Sequence, residues 1–123
     1  MVKEITNDAK YLIKIAFVKY DHTGKFRPVL VLESDPLITI WRITSKYLNK
    51  SRQIQKQYFP LFNWKILGLD RFSYVDLGSE AKLKPNDYLK TSLAKAKIIG
   101  IFNQSNLILF EEFHRIYLNS KHS

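Results

Sequence analysis

Lys25-Phe26-Arg27-Pro28-Val29-Leu30-Val31-Leu32-Glu33-Ser34-Asp35 sets an apolar run of four between an Arg-Pro pair and three polar residues. Pro28 has no N–H to give to a ladder, which restricts it to a strand start or an edge, and Ser34-Asp35-Pro36 closes the apolar run behind it. The segment is therefore one β-strand with a cation and a proline at its mouth. Upstream, Tyr11 to Asp21 alternates loosely around Ile13, Ile15 and Phe17, with Val18 offset, and predicts a strand with a bend. Asp21-His22-Thr23-Gly24-Lys25 between them predicts a turn, since Gly24 accepts positive φ and Asp21 can bond its own backbone. Downstream, Leu37-Ile38-Thr39-Ile40-Trp41-Arg42-Ile43-Thr44-Ser45 predicts a third strand. Ile38, Ile40 and Arg42 share one face of it, and Thr39, Trp41 and Ile43 share the other. Thr44, Ser45 and Lys46 thus end one strand as Arg27 begins another.

Outward from this core the pattern is less regular. Lys46 to Phe59 is polar and basic, and predicts a long exposed loop with at most one helical turn. Phe62 to Asp70 predicts a short helix, with Asn63 as N-cap and Gly68 as its left-handed stop. Arg71 to Gly78 predicts a strand, and Ala81 to Lys84 a further short one before a Lys-Pro-Asn-Asp turn. Tyr88 to Lys97 has no decisive pattern. Ile98 to Phe102 predicts a short buried strand or tight turn. The clearest helix follows, from Asn103 to Lys121, with Leu109, Phe110, Phe113, Ile116 and Tyr117 as its apolar face. Ser105 is its expected cap, and Arg115 and Lys121 suit the negative end of its dipole. Several short strands with a terminal helix describe a mainly β, α+β domain of barrel-like form spanning 1–123.

Composition bounds the function. A 123-residue chain with 46% apolar and 14% aromatic residues can bury one ordinary core. It has no cysteine, so disulfides, thiolate metal sites and a cysteine nucleophile are excluded together. The longest apolar runs are far too short to span a bilayer, and the first ten residues lack the apolar stretch of a signal peptide. A soluble cytoplasmic protein without a membrane partner is expected. Twenty Lys and Arg against eleven Asp and Glu give a net charge of +9. No acid occurs from Pro36 to Leu69, where Arg42, Lys46, Lys50, Arg52, Lys56 and Lys65 do. Such a block either attracts a phosphate-rich or acidic partner or is a solvated basic face.

Several chemistries lack their residues. His22, His114 and His122 do not have metal-ligand spacing, so neither a metal nor another cofactor is expected. There is no phosphate-cradling glycine loop among four glycines, no nucleophile elbow, and no obvious pair of working carboxylates. What remains is chemistry served by cations and hydroxyls around a phosphate. Cleavage of RNA fits, because the substrate supplies its own nucleophile in the 2′-OH.

Gly24 to Asp35, then "ITIWRITSK" (39–46 with its preceding isoleucine), then "WKILGLDRFSYV" (64–75), then "IIGIF" (98–102) before a terminal helix together resemble the PemK/MazF-like toxins. The resemblance runs over roughly Tyr11 to Phe113. It implies a small SH3-like barrel with short helices, usually a homodimer, that cleaves single-stranded RNA without metal and is held by an acidic antitoxin. It also implies that Arg27, from the Arg-Pro motif, and Thr44, at the end of the third strand, form the catalytic pair. Lys25, Phe26, Ser45, Lys46, Lys50 and Arg52 are the expected RNA-binding residues. The chain departs from the family pattern in having Lys25 and Phe26 after a single Gly24, and in its long basic segment from Lys46 to Lys56. Phe26 either stacks on a base or packs against the barrel.

The same residues admit blander roles. Arg27 could pair with Asp21 or Glu33, Thr44 could serve only β-propensity, and Trp41 and Trp64 are expected in the core. Two other functions share the basic groove: a catalytically silent nucleic-acid-binding module, and an interaction protein that binds an acidic peptide.

Overall fold

The computed structural model describes residues 13–18, 27–34, 37–83 and 96–121. Their main feature is a six-stranded sheet in which every neighbouring pair is antiparallel. The strands are β1 (Ile13–Val18), β2 (Arg27–Ser34), β3 (Leu37–Thr44), β4 (Tyr58–Leu61), β5 (Ser73–Leu83) and β6 (Lys97–Ile101), in the spatial order β4-β5-β3-β2-β1-β6. A helical turn, α1 (Arg52–Gln55), precedes β4, and a long helix, α2 (Gln104–Lys121), follows β6. The expected α+β character is present. The ladder itself is open, with β4 and β6 at its edges.

The alternation predicted along the third strand holds. Leu30, Trp41 and Ile43 face the main core with Ile15, Phe59, Leu61, Val75 and Leu77, while Val29, Val31 and Ile38 form a smaller buried cluster on the opposite face. Both faces of β2 and β3 are therefore apolar, as expected for central strands. Where β1 meets β6, the register shifts between Ile15 and Ala16, an irregularity that accords with the expected bend.

Helix α2 closes the main core. Phe110 is buried and meets Trp41, Phe59 and Phe102 edge-on, with centroids 5.1, 5.3 and 5.8 Å away. The Trp41 indole N–H donates to the Glu80 carboxylate at 3.0 Å, and the His114 ring lies 3.0 Å from the same oxygen. A buried indole donor needs such a partner, and this one also joins helix to sheet.

Several expectations are corrected. The helix buries Leu107 and Phe110, with Phe113 and Tyr117 packed beside them, whereas Leu109 and Ile116 are 59% and 55% exposed. Its cap is Asn103 instead of Ser105, because Asn103 Oδ1 accepts from Asn106 N at 2.8 Å and Asn106 Oδ1 accepts from Asn103 N at 3.2 Å. β6 is an edge strand with Ile98 and Ile101 exposed, and the buried residue of 98–102 is Phe102, just past the strand's end. The polar loop ends early, since Tyr58–Leu61 pairs with β5 as a strand. Pro60 is tolerated because β4 is an edge.

Residues 73–83 do not divide into two strands. Ser73–Leu83 is one strand with a bulge opposite Trp41, where the register steps from Ile40↔Ala81 to Arg42↔Asp76. Ser79 Oγ accepts from Arg42 N at 2.8 Å and donates to Asp76 O at 2.7 Å, satisfying the backbone across the step. Residues 62–69 are a run of turns, not a regular helix, with bonds from Leu67 N to Asn63 O and from Leu69 N to Trp64 O. Asn63 does not cap it; its side-chain amide exchanges two hydrogen bonds with that of Asn106. Gly68 does take the left-handed conformation, at φ +84°. This turn lies against β6: a Cβ on Gly68 would strike the Ile99 carbonyl, and one on Gly100 the Leu67 carbonyl. The chain leaving one edge strand thus meets the other edge strand.

The turn at 21–25, the Lys-Pro-Asn-Asp turn and the stretch without pattern up to Lys95 lie outside the described residues.

Candidate functional site

Antiparallel pairing brings the start of β2, the end of β3, the end of β4 and the start of β5 to one end of the sheet. Val29 pairs with Arg42, and the same register continued two residues past that pair sets Arg27 opposite Thr44. A cleft of about 880 Å³ opens there, and Arg27, Thr44, Ser45, Lys46 and Lys50 all line it. Five of the eight expected site residues therefore share one cavity. Arg52 does not line it; it begins α1, whose N-cap Ser51 accepts from Ile54 N at 3.3 Å. Lys25 and Phe26 lie outside the described residues.

Thr44 is half-buried, and its Oγ1 accepts a hydrogen bond from Lys46 N at 3.1 Å. That bond fixes the turn and occupies a lone pair, so the hydroxyl hydrogen is left to donate to a ligand. Lys50 N bonds to Tyr47 O at 3.1 Å, and Gln55 Nε2 bonds to the same carbonyl at 2.9 Å. The basic segment is consequently a set of tied turns that holds Lys46 and Lys50 at the cleft.

Sequence reading did not assign Arg42, Tyr58, Arg71, Ser73 or Asp76 to the site, yet each lines the cleft. Arg42 could have been found, because it lies two residues before Thr44 on the same strand face. Asp76 could not, since its place opposite Arg42 depends on the bulge in β5. Asp76 Oδ1 accepts from Gln57 Nε2 and from Gly78 N, both at 2.9 Å, and its Oδ2 lies 3.7 Å from Arg42 Nη2. The carboxylate is thereby engaged on both oxygens and steadies the more exposed guanidinium. Asp70 and Arg71 form an exposed ion pair at 3.5 Å, which contributes little to stability. Arg27, Arg42, Lys46, Lys50 and Arg71 oppose Asp70 and Asp76, so the cleft carries five cations against two carboxylates. Such a lining favours an anion, and Arg27 adds a planar fork suited to phosphate oxygens.

Tyr58 is buried beside Asp76 in the β4–β5 ladder. Burial raises its phenol pKa above 10.0, Asp76 raises it further, and Arg42 opposes the change. At neutral pH it is a hydrogen-bond donor and not a base. The unfolded phenol ionises first, so its contribution to stability is intact below pH 10.0 and is lost as pH rises through the higher native value. Urea unfolding above that pH should fall off less steeply for Tyr58→Phe than for wild type. Identical alkaline limbs would remove Tyr58 as the cause.

Among the described residues, no group of three or more His, Asp or Glu side chains could hold a metal ion, and no helix is long and apolar enough to cross a membrane. Comparison of the sequence with protein-family models and with curated proteins finds no match.

Proposed function

We propose that this protein is a PemK/MazF-like endoribonuclease that cleaves single-stranded RNA without metal. The observation that carries the reading is the convergence of Arg27, Thr44, Ser45, Lys46 and Lys50 on one cationic cleft at the strand ends. In this reading Arg27 and the Thr44 hydroxyl hold the non-bridging oxygens of one phosphate, while the lysines offset its growing negative charge. The RNA 2′-oxygen forms a bond to phosphorus as the bond to the 5′-oxygen breaks. The 2′-hydroxyl gives its proton to solvent, and the departing 5′-oxygen takes one up. The products are a 2′,3′-cyclic phosphate and a 5′-hydroxyl.

The contact between residues 62–69 and β6 supports the SH3-like barrel of this reading, because it brings the two edges of the open ladder toward each other. The reading extends to a cytoplasmic homodimer whose cleft is covered by an acidic antitoxin, for which the excess of cations is suited.

Purified protein incubated with mixed RNA tests the chemistry. Cleavage should persist in a chelator, stop on a substrate lacking the 2′-OH, and leave cyclic-phosphate ends. Loss of activity in the chelator, or equal cutting of DNA, would overturn the mechanism. RNA bound but never cut would make the protein a binding module.

A further inference from the structure

From the cleft wall a run of aromatic rings leads outward across the surface. Tyr58 lies 6.1 Å, centroid to centroid, from both Tyr47 and Tyr74. Tyr47 and Tyr74 are stacked at 4.5 Å with 12° between their planes. Phe72 follows at 5.2 Å from Tyr74, and Phe62 at 5.6 Å from Phe72. Phe62 is 75% exposed, although it is one of the largest apolar side chains in the protein. The run starts at the buried Tyr58 and ends on a ring so exposed that packing in the core does not explain it.

Cations are interleaved with these rings. Lys46 flanks Tyr47 in sequence, Arg71 flanks Phe72, and Lys50 closes the turn that holds Tyr47. Thr44 is the cross-strand partner of Tyr74, which joins the run to the expected phosphate position. A surface that alternates flat rings with cations matches one polymer, whose flat bases alternate with phosphates. An acidic peptide would use the cations and leave the rings without partners.

The geometry points to a base-stacking track in which Tyr47, Phe72 and Phe62 receive unpaired bases of a single-stranded nucleic acid, with Tyr74 stacked on Tyr47 as its support, while the strand's backbone lies along the cationic cleft. The inference rests on the proposed RNA-cleaving role for its choice of RNA over other single strands. It adds residues that hold and orient the strand without touching the reacting phosphate. Every base has a π-face, so the track tolerates sequence and requires only that the strand be unpaired.

The test separates rings from charge. Fluorescence anisotropy would follow binding of a labelled 2′-O-methyl RNA octamer, which cannot be cut because its nucleophile is capped. An abasic octamer with the same phosphates and a duplex of the same sequence serve as comparisons. Wild type is expected to bind the single-stranded octamer roughly tenfold or more tighter than the abasic one, as stacking on even one ring implies. Phe62→Ala and Tyr47→Ala should each reduce octamer binding about tenfold and leave abasic binding unchanged, while Tyr47→Phe keeps the wild-type value. Arg27→Ala should weaken both ligands alike. The track is overturned if wild type binds the octamer and its abasic counterpart equally, or if both ring variants bind as wild type does. It is also overturned if the duplex binds as well as the single strand, or if the ring variants lose a polyglutamate peptide as strongly as they lose the octamer. Base preference without any RNA cleavage would keep the track and sink the nuclease reading. Cleavage without base preference would do the reverse.

Discussion

Arg27→Ala is expected to cut RNA about 10²–10³ times more slowly than wild type, a loss of roughly 3–4 kcal/mol of transition-state stabilisation. Arg27 is exposed at the start of β2 and lines the cleft, so shortening it should leave the fold intact. Arg27→Lys should recover little, because an ammonium cannot reproduce the two-pronged contact of a guanidinium. Thr44→Ala should also be strongly impaired, since it removes the donor that the Lys46 N–H bond leaves available. Thr44→Ser keeps a hydroxyl at the same strand end and should retain appreciable activity. Single-turnover cleavage beside a thermal melt decides the matter. If Arg27→Ala and Thr44→Ala melt like wild type and cut at full rate, the site has been misassigned.

Arg27 at a strand's start and Thr44 at a strand's end were legible because the boundaries of both strands are written locally, and the resemblance alone paired them. Pro28 and Ser34-Asp35-Pro36 delimit one, and the alternation of Trp41, Arg42 and Ile43 carries the other into its hydroxyls. What the sequence hid depends on contacts between distant segments. Tyr58–Leu61 has only four residues, one a proline, and is a strand because β5 pairs with it. Asn63 looks like a cap, but Asn106 engages its side chain. In α2, Leu107, Ile108, Leu109 and Phe110 are apolar in succession, so periodicity alone could not choose which faces inward. Trp41 and Glu80 choose it, one by packing on Phe110 and the other by meeting His114. The cleft shows the same division. Arg42 shares a strand face with Thr44, but the Asp76 that steadies it arrives through a bulge whose local mark, Gly78, reads from sequence as the end of a strand.

The turn of residues 62–69 couples this fold to the cleft, and Gly68 is where the coupling can be broken. Gly68→Ala places a Cβ in a left-handed backbone, costing about 1–2 kcal/mol, and drives it into the Ile99 carbonyl, for about 1–3 kcal/mol more. A total loss of about 2–5 kcal/mol is expected, large against the stability of a small domain. Gly100→Ala meets the Leu67 carbonyl from the opposite side and needs no positive φ, so about 1–3 kcal/mol should be lost there. Ile66→Ala, at an 80% exposed position in the same turn, should stay within about 0.5 kcal/mol of wild type. Because Gly68, Leu69, Asp70 and Arg71 line the cleft, displacing the turn from β6 moves part of its wall. The two glycine variants should therefore lose RNA cleavage at temperatures where they remain folded, and Ile66→Ala should not. Urea unfolding and cleavage measured on the same samples test the order. Wild-type stability in Gly68→Ala would mean that the turn does not rest on β6, and full cleavage in a destabilised Gly68→Ala would mean that the wall does not depend on that contact.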